Sequence, residues 1–205
     1  MENYTGASNT AELALLLRQH CMVRRIKQDV LHQLNQYPKQ RIKVELTVVM
    51  EEGREEAEQE GQEVDKAKLL QWFAATARAK LPAVQGHLRG QLAAGRKFLV
   101  FCHHQVMVGG VVALLEEQGE GFVKIDGGVG NEERARRVER FQTDPSCKVA
   151  VLSLTAANTG LTLTEAKLVV FAEFYWDPCN LLQAEDRAHR IGQTSAVTCQ
   201  YLVAR

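Results

Sequence analysis

The chain has 205 residues, and its 25 basic and 25 acidic side chains leave no formal net charge. Its apolar fraction of 45% and charged fraction of 24% fit an ordinary globular protein with one good-sized domain, or a domain and an appendage. That balance excludes a global field for nucleic acid, so any such site must be a local patch.

No secretory or membrane signal is visible. The first ten residues, MENYTGASNT, are polar, and the longest apolar run, 106–115, contains two glycines and is too short to span a bilayer. Cys21, Cys102, Cys147, Cys179 and Cys199 form no C-x-x-C pair. This points to a reducing compartment and away from a disulfide framework or a zinc cluster. The expectation is an intracellular, soluble chain with no membrane partner.

Residues 11–34 carry Leu, Val and Ile at helical spacing with basic residues between them, and predict a helix. RIKVELTVV, 41–49, reads as a short strand. Residues 50–64, MEEGREEAEQEGQEV, are acidic and almost free of core residues, and read equally as a solvated helix or a flexible linker. Residues 66–94 predict a second helix, interrupted near Pro82 and closed by Gly95. After Gly95 the pattern alternates. Strands are expected at 97–102, 122–125, 148–152, 167–171 and 197–203, with helices at 105–118 and 131–141 between them. A last helix starts with Asp177 as N-cap and Pro178 at its first position, and runs to about Ile191 before Gly192. The alternation predicts an α/β fold with a central, mainly parallel sheet. The loops at His103–His104, 126–130, 153–164 and 173–177 should then share the edge beyond the carboxyl ends of the strands, where ligands bind.

Two stretches carry the chemistry. In QAEDRAHRIGQ, 183–193, a helical turn of about 100° per residue brings Gln183, Arg187 and Arg190 onto one face, with Glu185, Asp186 and His189 around the rest. Guanidinium suits phosphate because it is always charged, planar and bidentate. The competing reading is a solvated face with local Glu–Arg pairs, which contribute little. In VLSLTAANTGLTLTEAKLVVFAE, 151–173, Ser153, Thr155, Asn158, Thr159 and Thr162 surround Gly160 where the chain leaves a strand. Hydroxyls, an amide and free backbone N–H groups suit a phosphate backbone or a nucleotide. A Thr-rich cap for the next element is the alternative.

Together these stretches resemble the carboxy-terminal RecA-like lobe of the SWI/SNF family of helicase-like, double-stranded-DNA translocating ATPases. MVRRIKQDVLHQL (22–34) and the following KQRIKVEL resemble the junction between the family's two lobes, and KFLVFCHH (97–104) resembles motif IV. IDGGVGNEERARRVERFQ (125–142) is similar to the segment after it, LSLTAANTGLTL (152–163) to motif V, and FYWDPCNLLQAEDRAHRIGQ (174–193) to motif VI with its lead-in. The FCHH, TAANTGLT and AEDRAHRIGQT forms look most like the annealing-helicase branch, the HepA-related or SMARCA-like proteins.

The resemblance implies a three-layer α/β/α lobe preceded by a helical junction segment. Residues 1–49 would be the end of an amino-terminal lobe and junction, 50–94 an acidic and helical linker, and 95–205 the RecA-like lobe. It implies that two lobes clamp ATP and Mg2+, and that Arg187 and Arg190 reach across to the phosphates as arginine fingers. Gln183, Gly160 and Asp186 would complete the nucleotide side. His103, His104, Ser153, Thr155, Asn158 and Thr162 would contact DNA phosphates, double-stranded or forked, without reading sequence. The expected setting is a nuclear machine of fork remodelling and DNA repair.

The chain contains no G-x-x-x-x-G-K-[ST] and no D-E-x-H, the elements that hold Mg-ATP and position the attacking water. In the family both lie on the amino-terminal lobe, so this chain is expected to need that lobe, in cis or in trans, and to be inactive alone. A non-enzymatic RecA-like module that binds DNA or a partner is the alternative. QLNQYPKQR (33–41) departs from the family's direct Leu-Pro at the junction.

Other signals are weaker. Gly127-Gly128-x-Gly130 has the wrong spacing for a dinucleotide fingerprint, and three adjacent residues, Cys102, His103 and His104, cannot converge on one ion. Trp72 and Phe73 are expected to pack in their helical segment, whereas Trp176 at the sheet edge is open between packing and stacking on a base. Arg134, Arg136, Arg137 and Arg140, interleaved with Glu132, Glu133 and Glu139, read as a solvated helix face or a DNA-backbone contact.

Overall fold

The computed structural model describes residues 9–20, 37–48, 66–155 and 160–205. It divides into two units, residues 1–36 and 37–205. In the first, helix α1 spans Thr10–His20, and the rest of the helix expected to reach residue 34 lies outside the described residues. In the second, the elements are β1 (Lys39–Leu46), α2 (Lys66–Ala93), β2 (Phe98–Cys102), α3 (Gln105–Glu117), β3 (Gly121–Ile125), α4 (Asn131–Thr143), β4 (Cys147–Ser153), β5 (Leu168–Phe171), α5 (Pro178–Ala188) and β6 (Val197–Ala204).

Six strands form one sheet in the order β1-β6-β5-β2-β4-β3, and every neighbouring pair is parallel. A parallel sheet needs helical crossovers, which cover both faces and turn its strands into continuous apolar runs. All five residues of β2, FLVFC, are accordingly buried. Alternate side chains serve opposite cores. Phe98, Val100 and Cys102 pack with Val84 and Leu88 of α2 and Val111 and Leu114 of α3. Leu99 and Phe101 pack with Phe141 of α4 and Ala184 and Ala188 of α5. The result is the expected α/β/α arrangement. On the α4/α5 face the register aligns Phe101, Phe171 and Tyr201 across β2, β5 and β6. Their rings stack at 5.4 and 4.6 Å.

β1 pairs along its whole length with β6, from Lys39 opposite Val197 to Leu46 opposite Ala204, and the compact unit starts at Tyr37. Two expectations need correction. Pro82 does not interrupt α2. Pro82 and Arg78, whose carbonyl loses its donor, both lie on the exposed face of the helix. Gly95 closes the helix as expected, with φ +65° and its N–H on the Leu92 carbonyl at 2.8 Å. Finally, α5 ends at Ala188, three residues before the expected stop, which takes Arg190 off the helix.

Two glycines test this packing from opposite sides. Gly109 lies on the exposed face of α3 with open space at its Cβ position, so Gly109→Ala should stabilise the fold by about 0.5–1 kcal/mol. A Cβ at Gly121, where β3 begins, would meet the backbone carbonyl oxygen of Ser146 at 2.2 Å. Gly121→Ala should cost about 1–3 kcal/mol. Urea midpoints of the two variants, moving in opposite directions, check both.

Candidate nucleotide and DNA site

The helix that carries the arginines begins where Asp177 Oδ1 accepts the N–H of Cys179 at 2.9 Å, with Pro178 following the cap. Its last helical backbone bond runs from the His189 N–H to the Glu185 carbonyl at 3.1 Å. Arg187 is thus in the last turn, and Arg190 lies in the turn beyond, closed by Gly192 at φ +98°. The two guanidiniums nevertheless converge. Arg187 Nη1 points to the Leu161 carbonyl at 3.5 Å and Arg190 Nη1 to the Gly160 carbonyl at 3.4 Å, adjacent groups of the strip that follows β4. Both distances are long for a charged donor. Arg187 Nε is buried with no hydrogen-bond partner among the described residues. Burial, with the neighbouring Arg190, pushes the Arg187 guanidinium below its ordinary value, against the opposing pull of Asp186.

Gly160 has φ +66°, and the Leu163 N–H binds the Arg187 carbonyl at 2.8 Å, which ties the strip to the helix. Gln183 is exposed one turn before Arg187, on the same face. Asp186, expected on the nucleotide side, instead accepts from Lys39 Nζ at 3.3 Å. Gln193 was not singled out in sequence, yet it is the clamp of this corner. Its buried amide Nε2 donates to the carbonyls of Thr164, Ala166 and Ala188 at 2.9–3.2 Å, and its Oε1 accepts from the N–H groups of Thr194 and Ser195. A strongly hydrogen-bonding residue after an Ile-Gly stop was the available signal.

Glu185 was placed on a solvated circumference and is fully buried. Arg41 donates Nε to its Oε1 at 2.6 Å and Nη2 to its Oε2 at 2.8 Å. Lys39 Nζ lies 2.5 Å from Oε2, and the Tyr201 hydroxyl donates to Oε1 at 2.6 Å. Burial alone would raise this carboxyl, but the hydrogen bonds from Arg41, Lys39 and Tyr201 outweigh it and hold it at about 2. The same burial and the same bond push the Tyr201 hydroxyl up.

The second cluster lies beyond the carboxyl ends of β2 and β5. Glu173, 4% exposed, accepts the backbone N–H of His103 at 2.8 Å and of His104 at 2.9 Å on Oε2, and its Oε1 meets His104 Nδ1 at 2.6 Å. Burial and the adjacent His104 push the His103 imidazole below its ordinary value, against the pull of Glu173. Phe73 of α2 stacks on His103 at 5.4 Å and approaches His104 at 4.5 Å and Trp176 at 4.9 Å. Phe73 therefore packs across to the sheet edge and not only within its own helical segment, while Trp176 is 56% exposed. At the end of β4, Ser153 Oγ and Thr155 Oγ1 pair at 2.8 Å.

Asn158 lies outside the described residues. Thr162 sits between Leu161 and Leu163, both bonded to Arg187. The loop expected to occupy one edge thus starts at the carboxyl ends and returns toward the amino ends, where β5 begins. Of the four arginines on α4, Arg137 pairs with Glu133 at 2.7 Å, Arg136 with the same carboxylate at 3.1 Å, and Arg134 donates Nη2 to the Val129 carbonyl at 2.8 Å.

Residues 79–192 match the helicase conserved C-terminal domain family, and the chain belongs to it. Within that family it resembles SWI/SNF-type proteins. It is 42% identical over 218 residues to a SWI/SNF-related matrix-associated actin-dependent regulator of chromatin subfamily A-like protein 1 from Xenopus tropicalis, with 99% of this chain and 23% of the relative covered. It is 40% identical over 211 residues to the human DNA annealing helicase and endonuclease ZRANB3, with 97% of this chain and 20% of the relative covered. The chain therefore spans about a quarter or less of these relatives. Among solved structures it is similar to the C-terminal part of the Fun30 ATPase domain, with a TM-score of 0.57, 26% identity, and 62% of this chain and 41% of that one covered. The SWI2/SNF2 ATPase core of Sulfolobus solfataricus, solved with double-stranded DNA, shares the fold at a TM-score of 0.62 and 22% identity, over 95% of this chain and 47% of that one.

Two variants probe the site's scaffold. A carboxylate whose folded pKa lies below its unfolded one contributes stability that is complete above the ordinary value and lost as pH falls. Glu185 should thus contribute stability that declines between about pH 4.5 and 2, and Glu185→Gln should remove that part of the acid-unfolding profile. Gln193→Leu takes the side-chain donor from the Thr164 and Ala166 carbonyls, while the Ala188 carbonyl keeps the Arg190 N–H, and should lower the urea-unfolding free energy by about 2 kcal/mol.

Proposed function

We propose that this chain is the carboxy-terminal motor lobe of an ATP-dependent DNA translocase of the annealing-helicase kind. The observation that carries the reading is the paired Arg187 and Arg190, which turn two guanidiniums toward one strip through long contacts and bury an unpartnered Nε. Two cations held together, with no carboxylate among the described residues satisfying either guanidinium at close range, fit a polyphosphate. Arg187 and Arg190 would hold the phosphate oxygens, with Gln183 at the rim and Gly160 leaving room for backbone approach. Asp186, engaged by Lys39, supports the helix more directly than the nucleotide.

When bound, Mg-ATP supplies the phosphoryl group whose transfer to water drives the cycle. This chain contributes positive charge where charge builds up, from a rigid helix end, so little reorganisation is needed. The phosphate loop and the acids that hold Mg2+ belong, in this reading, to an amino-terminal lobe. On the other edge, His103, His104, Ser153 and Thr155 lie where a duplex backbone would run, with Trp176 exposed beside them. Contacts of that kind set register and read no sequence. The relatives' names, DNA annealing helicase and regulator of chromatin, support work on DNA. In this reading that work is nuclear and includes rewinding at forks.

DNA-stimulated ATP hydrolysis by the chain mixed with an amino-terminal lobe from a relative tests the reading. Arg187→Ala and Arg190→Ala should each lower the rate by about 10³- to 10⁵-fold, the usual worth of an arginine finger. Variants as fast as the parent, in a mixture whose lobes associate, would refute it.

A further inference from the structure

Glu185 lies between Gln183 and Arg187 in sequence but takes no part in the phosphate chemistry. Its buried carboxylate faces the edge of the sheet and is gripped by Arg41 through two donors at 2.6 and 2.8 Å, by Lys39 at 2.5 Å and by the Tyr201 hydroxyl at 2.6 Å. The segment that carries Lys39 and Arg41 takes hold of the same helix twice more. Lys39 reaches Asp186 at 3.3 Å, and the Tyr37 carbonyl meets His189 Nε2 at 2.9 Å. Residues on both sides of Arg187 are therefore bound to the first five residues of this unit, Tyr37 to Arg41.

Elsewhere α5 meets the sheet through the fully buried Ala184 and Ala188 and the partly buried Leu181 in its first turn. The alanines allow close approach, and none of the three makes a directional contact that fixes rotation about the helix axis. A carboxylate held by donors from two strands does set it, because a planar guanidinium in a two-point contact tolerates little rotation. The aromatic ladder Phe101–Phe171–Tyr201 delivers the Tyr201 hydroxyl to the same oxygen from the sheet side.

We propose that Lys39 and Arg41 are positioning residues for Arg187 and Arg190, acting through the Glu185 carboxylate, so that the edge strand β1 sets where the arginine pair points. The geometric part stands on the contacts above, and its consequence for hydrolysis rests on the function proposed for the pair.

Nitrogen-15 NMR of the arginine Nε–H groups tests the geometry without any turnover. Lys39→Met/Arg41→Met should shift or broaden the Arg187 and Arg190 signals, whereas the backbone signals of His103 and His104 stay in place. Glu185→Gln keeps a partner for the Tyr201 hydroxyl and should give a smaller change, and Arg41→Lys should lie between parent and double variant. These two milder variants carry the test if the double variant does not fold. Arginine signals unmoved in every folded variant would overturn the proposal. In the two-lobe assay the same variants should lower kcat by about 10- to 100-fold, as a small misplacement of catalytic groups does, with a smaller change in KM for ATP. Equal kcat alongside displaced signals would overturn the link to hydrolysis. If Arg187→Ala itself leaves the rate unchanged, the function of the pair fails, and the NMR result alone decides the positioning.

Discussion

The rest of the molecule follows from one constraint: six parallel strands must be joined by crossovers that bury both faces of their sheet. That requirement places α2 and α3 on one side and α4 and α5 on the other. It also sends each helix back from the carboxyl edge to the amino edge before the next strand can start. The polar groups of the β2, β4 and β5 ends therefore collect at one edge, around His103, His104, Ser153 and Glu173. The end of α5, with Arg187 and Arg190, comes out near the start of β6. Two chemically different clusters arise from one topology, and the return strip through Gly160 to Ala166 connects them.

Much of this was legible in the sequence. Continuous apolar runs such as FLVFC announce strands covered on both sides, and Asp177-Pro178 announces a helix start, because these signals depend on local chemistry. The pairing of β1 with β6 was not legible. A strand whose partner lies 158 residues further along the chain leaves no local mark of that partner. The helix end was misjudged for a related reason. Periodicity continues through AHRIG, but the Gln193 amide captures the Ala188 carbonyl and turns the chain out early. Pro82 looked like a break because the sequence does not reveal which face of α2 is wet.

The site was legible in its cations and illegible in its anions. Arginines three residues apart suggest phosphate from composition alone, and the structure does bring them to adjacent carbonyls. Glu185 sat among other charges on its helix, and Glu173 stood only in a loop expected at the sheet edge. Each is instead a buried hub that gathers donors from elements remote in sequence, Arg41 and Tyr201 for the first and the His103–His104 backbone for the second. Their role depends on tertiary burial, where a carboxylate without partners would be very costly and one with several becomes an anchor. Glu185 and Glu173 hold the frame, and Arg187 and Arg190 turn toward the proposed phosphates.

The central claim is that the arginine pair recognises the transition state of phosphoryl transfer on a second lobe. The most direct test compares the affinity of the associated lobes for ADP–aluminium fluoride, which mimics that state, with their affinity for ADP. The account predicts strong preference for the mimic in the parent and its collapse in Arg187→Ala, with ADP binding little changed. An Arg187→Ala protein that keeps the full preference would contradict it.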